Sequence, residues 1–245
     1  MSIGSLFIIT GTSKGIGEAL VRQILQRNSA RVIGIARNPS YISHPNYRHV
    51  ICDLNELSHL ENRLDYIFPD GKFERIVLIN NAGLIGEINH LGKLPHQSIH
   101  QIFKVNTIAP AILMNAFVKK YTLAKEAKKI VVNISSGAAS KVIDGWSGYS
   151  ASKSALNILT QTAQNEADLD RNGIRFFAVA PGVVDTDMQL EIRNASSDAF
   201  SSLPKFLALK ENRNLSSPES AAEKIVYLID NAEKFDGVIL DVRDF

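Results

Sequence analysis

The chain has 245 residues, 45% of them apolar and 21% charged, with 15 glycines and 8 prolines. This composition excludes a disordered, collagen-like or coiled-coil chain, and the length suits one large α/β domain burying roughly 70% of its unfolded surface. Twenty-seven basic against 25 acidic residues leave a net charge of +2, too weak a field to neutralise a nucleic-acid backbone, so no such partner is expected.

Residues 1–10 form a short apolar run without a basic leader or a small-residue cleavage site, and no apolar stretch of about 18 residues follows, so neither secretion nor membrane crossing is expected. Strands are predicted at 5–10, 31–36, 47–52, 75–80, 129–135, 174–180 and 238–242, most of them continuously apolar. Continuous apolarity marks parallel strands covered on both faces. Between them, helical spacing of apolar residues predicts helices at 15–28, 57–68, 98–122, 150–169 and 218–230. The alternation implies an α/β fold, a single doubly wound Rossmann-like domain over 1–245 with a seven-stranded parallel sheet. One long connection, 183–217, is read as a substrate-binding lid loop.

In chain order, the first informative segment follows the first strand, where Thr10-Gly11-Thr12-Ser13-Lys14-Gly15-Ile16-Gly17 leads into a helix. Glycines there let the chain turn tightly and let a pyrophosphate approach the free N–H groups of the helix N-terminus. The second strand ends Ala36-Arg37-Asn38 with no acid to hold a ribose hydroxyl. Arg37, with Lys14 nearby in sequence to the turn, offers charge suited to a 2′-phosphate and favours NADPH over NADH. Cys52, the single cysteine, forms no internal disulfide and fits a reducing cytoplasmic compartment. Asp53 and Asn80-Asn81-Ala82-Gly83 lie at predicted strand C-termini, where an open α/β sheet binds its ligand.

Asn106 lies four residues before Pro110, which has no N–H to give the Asn106 carbonyl. A bent helix and a backbone acceptor open to a water are expected, the alternative being an incidental kink. Ser136 ends the fifth strand 13 residues before Tyr149, and Tyr149 and Lys153 share one face at a helix start. A phenol titrates near 10, and a neighbouring ammonium lowers it toward useful proton donation. The serine hydroxyl would meet negative charge developing on a substrate carbonyl oxygen. His44, His49, His59, His90, His96 and His100 show no metal-ligand spacing, are read as surface or loop residues, and leave no metal site expected.

These residues, in this order and spacing with Pro181-Gly182 further on, resemble the short-chain dehydrogenase/reductase family over nearly the whole chain. The resemblance implies a catalytic set of Asn106, Ser136, Tyr149 and Lys153, with the tyrosine as acid or base and the lysine holding the nicotinamide ribose. It assigns Gly11, Ser13, Lys14, Gly15, Ile16, Gly17, Arg37, Asp53, Asn80, Ala82, Gly83, Pro181, Gly182, Val184 and Thr186 to the cofactor, together with Tyr149 and Lys153. Spacing to the tyrosine selects Ser136 over Ser135. Residues 145–149, 180–189, 192–193 and 207–211 resemble the sepiapterin-reductase-like branch, and within it the benzil reductases. That likeness implies an NADPH-dependent carbonyl reductase acting on an apolar or aromatic 1,2-diketone, a small-molecule substrate, in a homodimer or homotetramer. Substrate contacts are expected from Ser136, Trp146, Tyr149, Met188 and Asp241, in a pocket lined by Val142, Trp146, Met188, Phe200 and Phe206. Trp146 is open between pocket wall and packing under the lid, and Asp241 between a pterin-holding carboxylate and one satisfied by backbone donors. Alternatives are a pterin reductase, a 3-oxoacyl-carrier-protein reductase, although no basic cluster is evident in the second half, and a non-catalytic dinucleotide sensor.

Overall fold

A strand that is apolar at every position needs cover on both faces, and the computed structural model, which describes residues 3–27 and 29–245, provides it. Strands β1 (Ile3–Thr10), β2 (Ala30–Ala36), β3 (Tyr47–Ile51), β4 (Phe73–Asn80), β5 (Lys128–Ile134), β6 (Ile174–Ala180) and β7 (Ile239–Asp241) form one sheet. Their order is β3-β2-β1-β4-β5-β6-β7 and every pairing is parallel. Successive side chains on β1 point to opposite faces. Phe7 and Ile9 pack with Leu20 and Ile24 of α1 (Gly15–Leu25) and with Ile225 and Ile229 of α9 (Pro218–Asp230). Leu6 and Ile8 join a second core with Leu113 and Phe117 of α5 (Ala109–Tyr121) and Ala167 of α6 (Ser147–Asp170). A third, smaller apolar cluster containing Ile85, Trp146, Tyr149, Ile192 and Phe200 lies apart from these two.

Several predicted boundaries move for identifiable reasons. The first helix ends at Leu25, and its predicted end at Asn28 lies outside the described residues, as do Met1 and Ser2 of the first apolar run. The helix predicted at 57–68 is two short ones, α2 (Leu57–Glu61) and α3 (Leu64–Ile67). The helix predicted at 98–122 is α4 (His96–Phe103), then a π-helical turn at Lys104–Ile108, then α5. Pro110 lacks the N–H that a regular α-turn needs, and widening to a π-turn shifts the bonding frame ahead of it. A π-turn thus lies where the sequence predicts a bend at Asn106. The combined run His96–Tyr121 is also long and apolar enough by length and composition to cross a membrane, contrary to the expectation that no such stretch exists. In this fold its apolar residues Ile102, Leu113 and Phe117 are buried.

The segment 183–217 is more ordered than a loop. It carries α7 (Asp187–Arg193) and α8 (Leu203–Glu211), the latter opened by Pro204 in its first turn. Its two ends are stapled: Ser216 N–H donates to the Val183 carbonyl at 3.0 Å and Asp185 N–H to the Ser216 carbonyl at 2.9 Å.

Candidate active site

The C-terminal ends of β1, β2, β4, β5 and β6 open into a cleft of about 950 Å³. Gly11 and Gly15 take φ of +73° and +58°, left-handed values that favour glycine, and Gly11 N–H donates to the Ile35 carbonyl at 2.7 Å. The turn brings Gly11, Ser13, Lys14, Gly15 and Ile16 to the cleft, at the N-terminus of α1. Gly17 is a correction to the expected cofactor set. It is buried away from the cleft, and a Cβ there would fall 2.1 Å from the Gly11 carbonyl oxygen, so it serves close packing of α1 on the turn. Asn80 is a second correction. Its amide donates to Asn133 Oδ1 at 2.8 Å inside the core, and Asn133 in turn donates to Thr160 of α6 at 2.8 Å. Asn81, passed over as a ligand residue, lines the cleft instead and donates to the Thr10 carbonyl at 2.9 Å, joining β4 to the glycine turn. Ala82 and Gly83 follow it along the cleft.

At the β2 end, Arg37 lines the cleft and is exposed, with no hydrogen-bond partner among the described residues. The adjoining turn is held by a residue that spacing alone did not mark. His49, on β3 and not on a loop, donates from Nε2 to the Asn38 carbonyl at 2.9 Å and hydrogen-bonds the Tyr47 hydroxyl through Nδ1 at 3.0 Å. His59, His96 and His100 likewise sit on helices, and no group of three or more potential metal ligands occurs among the described residues. Asp53 lines the cleft and accepts from Asn55 N–H at 2.9 Å. Lys14 reaches across to the segment 183–217, pairing with Asp187 of α7 at 2.7 Å with both side chains more than half exposed.

The reacting group candidates converge between β5 and α6. Tyr149 lies within the first turn of α6, not ahead of it, and is 7% exposed; Lys153, one turn on, is 3% exposed. Ser136 caps the short 3₁₀ turn Gly137–Ser140 by accepting from Ala138 N–H, and it lines the cleft together with Tyr149. Ser135 is committed elsewhere, donating to Asn157 at 2.5 Å, so the choice of Ser136 agrees with the geometry. Burial raises the Tyr149 phenol above its ordinary value, and the Ser136 side chain opposes that rise. The Lys153 ammonium donates to the Ile134 carbonyl, 2.7 Å away. Burial pushes Lys153 itself down to about 8.

Asn106 is fully buried, and its side chain does not line the cleft. Its Oδ1 accepts from Leu84 N–H at 2.9 Å, while Nδ2 donates to the Leu84 carbonyl at 2.9 Å and to Ser152 at 3.1 Å. The amide is thus spent on tying the segment after β4 to α6. Gly83 lies between: a Cβ there would come 3.4 Å from Asn106 Oδ1 and 3.5 Å from Lys153 Nζ. The missing side chain keeps the space over the ammonium clear. One of three ammonium donors is used by Ile134, and no second acceptor is found among the described residues.

Against the segment 183–217, Trp146 both borders the cleft and packs in an aromatic cluster. It lines the cleft at 6% exposure and stacks on Phe200 with ring centroids 5.1 Å apart. Val142 lines the cleft fully exposed, and Met188 and Phe206 line it partly buried. Phe200 does not line it; it is completely buried behind Trp146, correcting the expectation of a pocket-facing ring. Pro181, Gly182, Val184 and Thr186 border the cleft along the β6 exit. Asp241 borders it too, but its carboxylate accepts from Arg243 N–H at 3.0 Å and pairs with the Arg243 guanidinium at 2.5 Å, which holds it below the usual carboxylate range. Lys141, Lys205 and Arg243 stand at the cleft, basic residues that the sequence did not group, interspersed with Asp185, Asp187 and Glu191.

A glycine-lined helix N-terminus, a buried lysine and a serine–tyrosine pair meet in one cleft, an arrangement whose chemistry suits anion binding beside acid–base transfer. The short chain dehydrogenase family profile matches residues 5–197. Benzil reductase ((S)-benzoin forming) of Bacillus subtilis is 32% identical over 98% of this chain and 99% of its own. The Bacillus cereus benzil reductase is 34% identical over 97% and 98%. A solved 4-hydroxyisoleucine dehydrogenase complexed with NADH is similar at a TM-score of 0.78 and 26% identity, over 97% of this chain and 96% of that one. The chain belongs to the short-chain dehydrogenase family of oxidoreductases.

Proposed function

We propose that this protein is an NADPH-dependent carbonyl reductase whose substrate is a 1,2-diketone with apolar or aromatic flanks. The observation that carries the reading is the meeting of Ser136 and the buried Tyr149 in one cleft with the buried Lys153, one helical turn on from the tyrosine. When bound, the nicotinamide supplies a hydride to the carbonyl carbon. Tyr149 donates its proton to the carbonyl oxygen as charge develops there, and Ser136 donates a second hydrogen bond to that oxygen. Lys153 offers its unused N–H donors to a ribose hydroxyl in the space that Gly83 leaves clear. The Asn106 side chain acts as a positioning group, since it locks the segment after β4 onto the helix that bears Tyr149.

Arg37 is the proposed holder of a 2′-phosphate, because it is an exposed guanidinium just past the end of β2 with no ion-pair partner among the described residues. Lys14 adds charge there when it leaves Asp187. Residues 183–217 act as the lid, and Trp146 with Phe206 forms the apolar wall against which a substrate flank rests. A pterin reductase reading is less supported, because the Asp241 carboxylate that would hold the pterin is already engaged by Arg243. The mixed charge around the cleft likewise favours a free small molecule over an acidic carrier protein. A reducing cytoplasmic setting fits the single buried thiol, Cys52. By family likeness a homodimer or homotetramer is expected, which light scattering reads directly.

The test is NADPH oxidation against a panel of 1,2-diketones, quinones, pterins and simple ketones. Benzil is expected to be among the fastest. If neither diketones nor pterins outpace an unactivated aliphatic ketone, the substrate assignment is wrong.

A further inference from the structure

We propose that Asp144 is a positioning residue for substrate choice: its carboxylate clamps the lid at Ser201 and thereby sets the aromatic wall of Trp146, Phe200 and Phe206. The inference rests on the reading of this cleft as one that receives apolar or aromatic flanks. The clamp has two prongs. Ser201 N–H donates to Asp144 Oδ2 at 2.7 Å, and the Ser201 hydroxyl donates to Oδ1 at 2.7 Å. His90, from the segment after β4, stands 3.8 Å from the same carboxylate. The carboxylate is charged at neutral pH, which makes both bonds charge-assisted, and these partners, led by the Ser201 N–H, hold it below its ordinary range.

The neighbouring backbone shows the same close docking. Gly145 adopts φ +75°, and a Cβ on it would fall 2.4 Å from the Ala199 carbonyl oxygen and 3.0 Å from Ile88. Only a glycine lets these two chains approach so closely. Trp146 follows Gly145 directly, and Phe200 precedes Ser201, so seating Ser201 on Asp144 seats the Phe200 ring on the indole. The two rings lie 5.1 Å apart at 15°. Phe206 completes the group at 5.3 Å from Trp146 and 5.5 Å from Phe200. Trp146 also meets Tyr149 edge-on at 5.5 Å, so the wall begins at the proposed proton donor. Asp144 itself is exposed and does not line the cleft; it acts through the wall. A flat aromatic flank benefits from a slot set in advance, whereas a methyl flank gains little from one.

Trp146 is the only tryptophan in the chain, so its emission reports on the wall without labelling. The experiment compares wild type with Asp144→Ala, Asp144→Asn and Ser201→Ala. Both readouts are taken on each protein: acrylamide quenching without substrate, and kcat/KM for benzil and for 2,3-butanedione with NADPH. Asp144→Ala is expected to raise quenching and to lower benzil kcat/KM about tenfold, consistent with loss of charge-assisted bonds, while butanedione changes less than about twofold. Asp144→Asn and Ser201→Ala, each keeping part of the clamp, should fall between. Unchanged quenching in all three variants overturns the clamp. Raised quenching with an unchanged benzil-to-butanedione ratio overturns its role in substrate choice. A wild-type protein that reduces neither diketone overturns the substrate reading and the specificity role with it, and quenching then still decides the clamp.

Discussion

The two ends of the cleft are built from different materials. At the end formed by β1, β2 and β4, the surface is largely backbone: Gly11 and Gly15 in left-handed conformation, helix N–H groups, and strand termini locked by Asn81 and by the buried Asn80–Asn133–Thr160 chain. At the lid end, the surface is side chains on short helices, held by an aromatic stack and by exposed ion pairs such as Lys14–Asp187 and Lys210–Asp185. Exposed pairs contribute little, typically less than about 1 kcal/mol, whereas a buried aromatic contributes several. The dinucleotide end therefore rests on backbone conformation and buried hydrogen bonds, and the other end on side-chain packing that a few substitutions would reshape.

The sharpest way to break this division is at the acid. Tyr149→Phe keeps the ring packed against Trp146 and removes the hydroxyl, so turnover is expected to fall about 100- to 10,000-fold with NADPH affinity nearly intact. Rapid-mixing rates and equilibrium titration of the cofactor check the two halves. On the lid side, Phe200→Ala empties a fully buried site and should cost about 3–5 kcal/mol of stability, read from urea unfolding. A smaller loss would mean that the lid collapses easily around the gap.

At the glycine-turn end, Arg37→Asp replaces an exposed cation by an anion and should weaken NADPH by about 1.5–3 kcal/mol while leaving NADH largely unaffected. Isothermal titration with both nucleotides measures the difference. Lys153 gives a pH signature. Its folded value near 8 lies below its ordinary 10.5, so between those pH values the unfolded chain binds the extra proton and stability rises with pH. Below about 8 both states are protonated and the contribution to the slope vanishes. Lys153→Met should remove a rise of the order of 1–3 kcal/mol, seen by comparing denaturant midpoints at about pH 8 and about pH 10.

The same division separates what was legible in the sequence from what was not. Parallel strands announce themselves by unbroken apolar runs, and the glycine turn, Ser136, Tyr149 and Lys153 are fixed by local spacing from strand ends and within one helical turn. Asn80 and Asn81 were confused because adjacent residues at a strand end point opposite ways, and one unit of register decides which meets the ligand. The inward turn of the Asn106 amide was hidden because its partners, Leu84 and Ser152, lie 22 and 46 residues away. In the lid, α7 and α8 span only 7 and 9 residues, too short for periodicity to separate helix from loop. The clamp between Asp144 and Ser201 crosses 57 residues and leaves no local trace at all.

The most direct measurement mixes enzyme with a known amount of NADPH and excess benzil, and counts hydroxyketone formed against NADPH consumed. The account predicts one molecule of benzoin for each NADPH oxidised, with the count collapsing in Tyr149→Phe. Tight NADPH binding with no oxidation would contradict it and point instead to a dinucleotide-binding protein without this chemistry.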